Sequence, residues 1–314
     1  MIFLGEIIAL CASLFWTTAA ISGEVASKRI GAISVNIWTM LIAFILLNIT
    51  LLCLTGNPFP QYLDFKSLIW IIGSGLLCFV VCNYFLYNAY ILIGSRFSQL
   101  FMTLISPSAA VTGWIILDER LTLQECIGIA VTLAGIMLTL LGNKPSGNDK
   151  KDQPKMSLKG IVYAIISSLA QGIGLVLGKV GMMYYHENMP HELTNLSNLI
   201  PLSSSYIRIL TGLAGFIIII FLIKESGKFK QTMHDKKGVL TAMFTGAAGP
   251  FLGATCALVA MRYSKAGIAA TLVELTPILI IVPAHYIFKQ KIYFLQVIGT
   301  VISVFGVSLF FIKF

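Results

Sequence analysis

The sequence predicts an all-α membrane protein in which ten transmembrane helices form two inverted five-helix repeats. Three observations support this fold class. Hydrophobic residues make up 57% of the 314 positions and charged residues 11%, which is more apolar surface than a water-soluble domain of this size could bury. Apolar runs of roughly 18 or more residues recur along nearly the whole chain, and each could cross a hydrocarbon core of about 30 Å. One long segment also occurs twice.

The duplicated segment runs from Gly94 to Gly142 and returns in weaker form from Tyr263 onward. The two copies align with offsets of roughly 169 to 171 residues, a self-similarity typical of internal repeats; the matched pairs include Ser95 with Ser264, Pro107 with Pro277 and Gly128 with Gly299. Residues 5–25 also match residues 160–180 without a gap. The first apolar run is therefore part of the repeat, and we do not interpret it as a removable signal peptide.

Five apolar spans lie in each half of the chain, and lipid requires such spans to be helical because it satisfies no backbone hydrogen bonds. They cover about 3–21, 34–54, 67–91, 97–117 and 124–142, then about 158–180, 203–223, 239–260, 266–288 and 293–313. We divide the chain into a first repeat at 1–142, a polar linker at 143–157 and a second repeat at 158–314. An odd number of spans inverts the second repeat, which is the usual architecture of alternating-access carriers.

The charge distribution argues against a nucleic-acid partner. The net charge is +9, but the basic residues lie in short loops between apolar runs, where such charges usually set membrane orientation. Loops on one side hold roughly fifteen Lys and Arg and the opposite side about five, so the positive-inside rule places both termini outside. The six cysteines show no metal-like pairing, and the sequence predicts neither a metal nor a cofactor.

The order of several motifs resembles the EamA family of the drug/metabolite transporter superfamily. A Pro107-containing span leads into a short turn with Glu119, and a helix with Ile127, Gly128 and Gly135 follows. The resemblance covers nearly the whole chain. It implies a ten-helix carrier for small organic solutes, with spans one to four and six to nine around a cavity and spans five and ten peripheral. It also implies cytoplasmic termini, which leaves the orientation open.

Polar and aromatic side chains on the faces of several spans are candidate substrate-binding residues. Polar groups facing lipid are costly, so these faces must look inward, and two explanations are open: hydrogen bonds between helices or a solute cavity. The candidates are Trp16, Tyr84, Tyr87, Asn88, Gln99 and Gln171. Replacing Trp16, Tyr87 or Gln171 is expected to change transport more than folding.

An acidic residue in the ninth span is the strongest single candidate. Glu274 lies three residues before Pro277, deep in the span, where a carboxylate must be protonated, paired or in contact with a wet cavity. We expect it to bind a positive group of the solute or a coupling proton. The alternative is a neutral, hydrogen-bonded structural acid. Arg208 is a possible anion contact, although long basic side chains near helix ends also reach to the interface.

Prolines and glycines give the remaining expectations. Pro107 and Pro277 each remove a backbone donor and free the carbonyls of Thr103 and Val273, so both are candidate gating residues, with a static kink as the alternative. Small-residue stripes predict close helix packing, within or between protomers; they comprise Gly128, Gly135 and Gly142 in the fifth span, and Gly299 and Gly306 in the tenth.

Together these features predict a secondary transporter, an exporter of small organic metabolites such as amino acids, in the bacterial cytoplasmic membrane. Multidrug or cation efflux is one alternative. A membrane-embedded enzyme acting on lipid-linked substrates is another, but the carboxylates are scattered rather than clustered, so we predict no enzyme. Expected partners are a small solute and membrane lipids, with proton coupling possible. Monomer and homodimer are both open.

Overall fold

A computed structural model describes the chain from Leu4 to Leu309, apart from residues 58, 61–62, 119–121, 142–156, 189–198, 225, 264–271, 274 and 290–291. Every regular element in these ranges is a helix. The first half contains α1 (Leu4–Ile30), α2 (Ala32–Thr55), α3 (Phe65–Gly75), a π-helical segment (Leu76–Val81), α4 (Cys82–Met102), α5 (Ile105–Leu117) and α6 (Leu123–Leu141).

The second half repeats much of this pattern. It contains α7 (Leu158–Glu187), α8 (Ile200–Leu222), α9 (Ser226–Thr232), α10 (Lys236–Gly246), a second π-helical segment (Ala247–Gly253), α11 (Ala254–Tyr263), α12 (Thr276–Leu279), α13 (Ile281–Phe288) and α14 (Phe294–Ser308). The two π-helical segments begin 171 positions apart, at Leu76 and Ala247. This spacing agrees with the sequence offset, so the predicted all-α fold with two repeats is confirmed.

Six helices are long and apolar enough to cross a membrane: Leu4–Ile30, Ala32–Thr55, Phe65–Met102, Leu158–Glu187, Ile200–Leu222 and Lys236–Ala257. Shorter apolar helices accompany them at Ile105–Leu117, Cys126–Thr139, Thr276–Phe288 and Phe294–Ser308. The chain is thus built as a multi-pass membrane protein. The number of spans, ten, stays a prediction.

The first predicted span was too short. It was expected to end near residue 21, whereas α1 continues to Ile30 and stops only at Gly31, whose φ of 80° is in the left-handed region. The extension contains three charged residues, Glu24, Lys28 and Arg29. Glu24 is buried, however, and it pairs with Lys28 one helical turn later, so the helix tolerates these charges. In the same way α7 extends to Glu187 rather than to about 180.

The backbone breaks at two places. The first, at Gly94, lies between the predicted third and fourth spans, and the second, at residues 103–104, lies within the predicted fourth span. Gly94 lies inside α4 with φ 81° and ψ 161°, a conformation that favours glycine. A turn at residues 103–104 then separates α4 from α5, one helical turn before Pro107. The predicted backbone irregularity before this proline is therefore present, because proline cannot continue the hydrogen-bond ladder into the preceding turn.

The helices of the two halves pack against each other in matched pairs. A Cβ at Gly75 on α3 would lie 2.9 Å from the carbonyl oxygen of Arg208 on α8. At Gly246 on α10 it would lie 2.9 Å from Cα of Thr39 on α2. These glycines are also 171 positions apart. Each lets a helix of one repeat touch the backbone of a helix in the other.

The glycine stripes of the last span in each repeat meet within one chain. A side chain at Gly135 would collide with the backbone of Ser303, and one at Gly299 would collide with Thr139. Ser303 Oγ donates to the carbonyl of Thr132 at 3.3 Å across the same contact. Of the two open interpretations, packing within the protomer is therefore the one that the structure shows.

Candidate functional site

Trp16 lies at the crossing of α1 with the π-helical segment of the second half. Atoms of its indole ring would be 3.3 Å from a Cβ at Gly249 and 3.1 Å from one at Gly253. The ring therefore rests on a surface that two glycines keep flat, and it is only half-buried. A half-buried aromatic ring with a polar N–H suits contact with an organic solute.

Gln171 lies at the matching crossing in the other half, where α7 meets the π-helical segment of the first repeat. Its carbonyl oxygen accepts from Cys78 Sγ at 3.7 Å, and Ser74 Oγ donates to the carbonyl of Gly174 at 2.5 Å. The Gln171 side chain is half-buried. Trp16 and Gln171 thus occupy equivalent crossings, as their sequence alignment predicts.

A short polar contact continues from the second crossing. Cys82 Sγ and Ser167 Oγ are 3.2 Å apart, and Ser167 Oγ lies 3.6 Å from the sulfur of Met102. These residues come from α4 and α7, and Met102 immediately precedes the break before α5. The contact ties the break to the crossing helix α7.

The polar face predicted on the third span divides between two environments. Tyr84 packs beside the hydrophobic cluster between α2 and α8, and Asn88 Nδ2 donates to the carbonyl of Tyr84 at 2.7 Å. Tyr87 instead lies in a second cluster with Tyr90, at a ring separation of 5.5 Å. A Cβ on Gly23 of α1 would lie only 2.7 Å from the Tyr87 ring and collide with it. Tyr84 and Tyr87, although one helical turn apart on α4, therefore pack against different clusters.

Gln99 joins the second of these environments. Its Nε2 donates to the hydroxyl of Tyr90 at 2.6 Å, across the break at Gly94. Tyr87, Tyr90 and Gln99 thus form one continuous polar-aromatic group beside α1. Asn88, in contrast, donates a hydrogen bond to the backbone of its own helix. Asn and Ser side chains often make such local hydrogen bonds, and this one joins no second helix.

Arg208 lies two turns inside α8, not at its end. Its guanidinium carbon is 5.3 Å from the centroid of the Phe79 ring, within the distance of a cation–π contact. Its Nε is buried and has no hydrogen-bond partner within the described ranges. A buried donor without an acceptor is costly, so Arg208 has the capacity to bind an anion.

The two prolines are both buried. Ser108 N, next to Pro107, donates to the carbonyl of Leu104 at 3.0 Å, so the helix resumes immediately after the break. Pro277 is the second residue of α12, and a turn at Leu275 precedes that helix. Glu274 lies outside the described residues, as do Glu119 and Gln290.

Sequence reasoning missed a buried charged group where α1 approaches the break at Gly94. Glu24 is completely buried; it accepts from Lys28 Nζ and, at 2.5 Å, from the backbone N–H of Ser95. The carboxylate therefore caps the helix that begins after Gly94. The adjacent Arg96, also buried, donates to Gln296 of α14 at 3.0 Å. The i,i+4 spacing of Glu24 and Lys28 was the available sequence signal.

One ion pair and one cation–π contact join helix ends on one side of the bundle. Arg29 Nη2 and Nε donate to the carboxylate of Asp235 at 2.9 and 3.0 Å, which joins the end of α1 to the start of α10. Lys28 Nζ lies 5.1 Å from the ring centroid of Phe288, at the end of α13. We call the side of the bundle that holds the end of α1, the start of α10 and the end of α13 the basic side. The Arg29 guanidinium, helped by the N–H of Gly238, holds the pKa of Asp235 below its usual range.

Comparison with known proteins agrees with this architecture. A family model described as the EamA-like transporter family matches residues 3–141 and again residues 158–312. One solved crystal structure shares 16% sequence identity, covers 97% of this chain and 95% of its own, and superposes with a TM-score of 0.55; at that identity the likeness concerns the fold alone. None of the curated proteins matches significantly. The resemblance seen in the sequence is confirmed: this chain is an integral multi-pass membrane protein and belongs to the EamA-like transporter family, whose members are transporters and not enzymes.

Proposed function

We propose that the protein is a secondary carrier that exports small organic metabolites, such as amino acids, by alternating access in a bacterial cytoplasmic membrane. In this proposal ten transmembrane helices form two inverted repeats, at 1–142 and 158–314, joined by a linker at 143–157. One observation carries the proposal: the first helix of each repeat crosses the π-interrupted helix of the other repeat. A site at such crossings contacts both repeats.

The π-helical segments favour a substrate site whose contacts change when the two repeats move relative to each other. A π-helical turn interrupts regular helix geometry and is frequent at functional sites, and discontinuous helices at matching positions of two repeats are a common feature of carriers. Trp16 rests on one such segment through Gly249 and Gly253, while Gln171 contacts the other at Cys78. Rocking of one repeat against the other would change both contacts together.

An amino acid fits the proposed chemistry on both of its charged ends. Glu274 would bind the ammonium group or a coupling proton, because an acid deep in a span is a functional candidate by default. Arg208 would bind the carboxylate through its unpartnered buried Nε. Tyr87 and Gln99, joined through Tyr90, would line the cavity on the α1 side. Pro107 and Pro277 would gate it.

Multidrug or cation efflux is the second candidate, and the half-buried indole ring of Trp16 favours it. A cation placed over the face of a tryptophan ring gains about 0.5–2 kcal/mol. The two functions differ in what Arg208 contributes, since a cationic drug gains nothing from a second positive charge.

Flux measurements in proteoliposomes test both candidates. Purified full-length protein is reconstituted, loaded with unlabelled amino acids, and assayed for counterflow of radiolabelled ones, with cationic dyes in parallel. Saturable amino-acid counterflow that weakens in Arg208→Gln supports the metabolite carrier. Dye efflux that is insensitive to Arg208→Gln would replace it with cation efflux, and the absence of any saturable flux across both panels would reject both candidates.

A further inference from the structure

A cavity of about 570 Å³ lies between α2, α8 and α9, away from the helix crossings. Its lining includes none of the described candidate substrate-binding residues. The residues that line the cavity include Trp38 and Leu41 of α2, Ile217 and Phe221 of α8, and Phe229 and Lys230 of α9. Its volume falls within the range of about 300–1,000 Å³ typical of small-molecule sites.

Two of the apolar side chains that line the cavity are exposed on the surface of the helix bundle. Ile217 is 41% and Phe221 68% exposed, as expected for side chains in contact with acyl chains. Trp38 lies six residues after the start of α2, about 9 Å along the axis at the helical rise, and tryptophan is enriched near membrane–water interfaces. The lining residues of α2 and α8 thus lie within about two to three helical turns of the end at which α2 begins and α8 ends.

The polar end of the cavity is positively charged. Residues 224–237 contain five lysines and two acids, and one of those acids, Asp235, already pairs with Arg29. Lys230, at the rim of the cavity, is exposed. The short helix α9 holds this lysine in place because the Phe229 ring stacks on Trp38, with ring centroids 6.0 Å apart and planes 27° apart.

Trp38, one of the residues that line this cavity, carries a hydrogen-bond donor without an acceptor. Trp38 Nε1 is buried and has no partner among the residues that the structure describes. An indole N–H usually finds a partner when buried. An oxygen-rich headgroup at the polar end would supply one.

We propose that this cavity binds one anionic phospholipid from the leaflet on the basic side. One acyl chain occupies the crevice between α2 and α8, the phosphate pairs with Lys230, and a headgroup or ester oxygen accepts from Trp38 Nε1. A phospholipid fits better than a soluble anion because most of the wall is apolar. This site is independent of the proposed transport site.

Native mass spectrometry of the purified full-length chain tests the headgroup contact. Phosphatidylglycerol and phosphatidylcholine with identical acyl chains are added to the detergent-solubilised protein, and retained lipid is counted. We expect preferential retention of phosphatidylglycerol, which Lys230→Gln lowers roughly fivefold, the usual contribution of one lysine to binding an anionic lipid. The matched control is Lys66→Gln, which removes the same charge from an exposed lysine at the start of α3.

A second pair of variants tests the position of the chain. Ile217→Trp should fill the crevice and reduce retention of both lipids, and brominated-acyl phosphatidylglycerol should quench wild-type fluorescence more than that of Trp38→Phe. Equal retention of the two lipids, equal loss in Lys66→Gln and Lys230→Gln, or full retention in both Lys230→Gln and Ile217→Trp would overturn the proposal. Size-exclusion elution checks that each variant is folded.

Discussion

Helix α1 crosses α10 and α11 of the second repeat in the same way that α7 crosses α3 and α4 of the first, but the side chains at the two crossings differ. The backbone features recur at a constant offset of 171 positions: Gly75 and Gly246, the π-helical segments at Leu76 and Ala247, and the N-caps Asp64 and Asp235. The chemistry does not recur. Trp16 aligns with Gln171, Glu24 with Lys179, and Trp38 with Arg208.

This difference separates the requirements of folding from those of function. Glycines at crossings and aspartates at helix starts are needed in both repeats because each repeat must build the same helix contacts. Side chains that touch a solute face one asymmetric molecule, so they have no reason to be duplicated. Of these divergent positions within matching geometry, Trp16, Gln171 and Arg208 are therefore where we place the transport site.

The largest expected effect concerns the paired glycines. Gly246→Val and Gly75→Val should each lower the free energy of unfolding by about 3 kcal/mol, because the new side chain meets helix backbone that cannot move without separating the helices. Gly246→Val should be the more severe, since its Cβ would collide with the carbonyl oxygen of Thr39. Thermal unfolding in mild detergent measures both.

Gly227→Ala on α9 is the control for these variants, because nothing lies within 4 Å of its Cβ position. It should change stability by no more than about 0.5 kcal/mol. If Gly75→Val were as harmless as Gly227→Ala while Gly246→Val was not, the contact of α3 with α8 and the contact of α10 with α2 would not be equivalent.

The next largest effect concerns the buried carboxylate of Glu24, compared with the exposed Lys179 at the aligned position of the second repeat. Glu24→Ala should cost about 2–3 kcal/mol, since it leaves the buried N–H of Ser95 and the ammonium of Lys28 without their acceptor. Glu24→Gln keeps one acceptor and should recover part of the loss. Lys179→Ala, at the aligned and exposed position, should stay within about 0.5 kcal/mol. Melting temperatures that fall equally in Glu24→Ala and Lys179→Ala would contradict the assignment.

The repeats and the helical class were predictable because hydropathy and small-residue spacing are local signals. Pro107 predicted a backbone break within one turn, and the stripe at Gly135 predicted a packing surface. The first span was predicted to end near residue 21, but α1 continues to Ile30. The burial of Glu24 in this extension depends on the cap that it gives to Ser95, 71 residues later in sequence. Such long-range partners leave no periodic signal.

The candidate site was less predictable for the same reason. Helical spacing placed Tyr84 and Tyr87 on one face, but a residue's environment is decided by its neighbouring helices, and these two tyrosines face different ones. The π-helical segments were also missed. Their sequences differ, with Leu-Leu-Cys in one and Ala-Ala-Gly-Pro in the other, so no shared composition marks them.

Substitutions at the two helix crossings should have moderate and unequal effects on the KM for transport. Trp16→Ala should raise the KM for the transported solute about tenfold, in line with a lost aromatic contact of ~1–2 kcal/mol. Gln171→Ala removes at most one hydrogen bond of about 1 kcal/mol and should raise it less, about threefold. Trp114→Ala, which removes a 53% exposed tryptophan on α5, is the control. Proteoliposome kinetics with unchanged KM in both Trp16→Ala and Gln171→Ala would remove the crossings from the site.

The smallest effect separates the two N-cap aspartates. Asp64 accepts from the backbone N–H groups of Lys66 and Ser67 at 3.1 Å, and Asp64→Ala should cost about 1 kcal/mol, as the loss of an N-cap usually does. Asp235 accepts from Gly238 N–H at 3.0 Å and also pairs with Arg29. Asp235→Ala should therefore lower the melting temperature further, and only its excess over Asp64→Ala should shrink in 1 M salt, roughly the concentration at which the Debye length falls to 3 Å.

The same pair gives a pH dependence with a definite sign. Hydrogen bonds lower the pKa of both carboxyls, with Ser67 the main cause at Asp64 and Arg29 at Asp235. A carboxyl whose pKa is lower in the folded state stabilises the fold above its unfolded pKa of about 3.9, and this stabilisation is lost as the pH falls through the folded-state value. The difference in melting temperature between wild type and Asp235→Ala should thus be constant from about pH 5 to pH 8 and narrow below about pH 4. A difference that instead narrowed toward high pH would show that Asp235 contributes through something other than its ionised cap and its pair with Arg29.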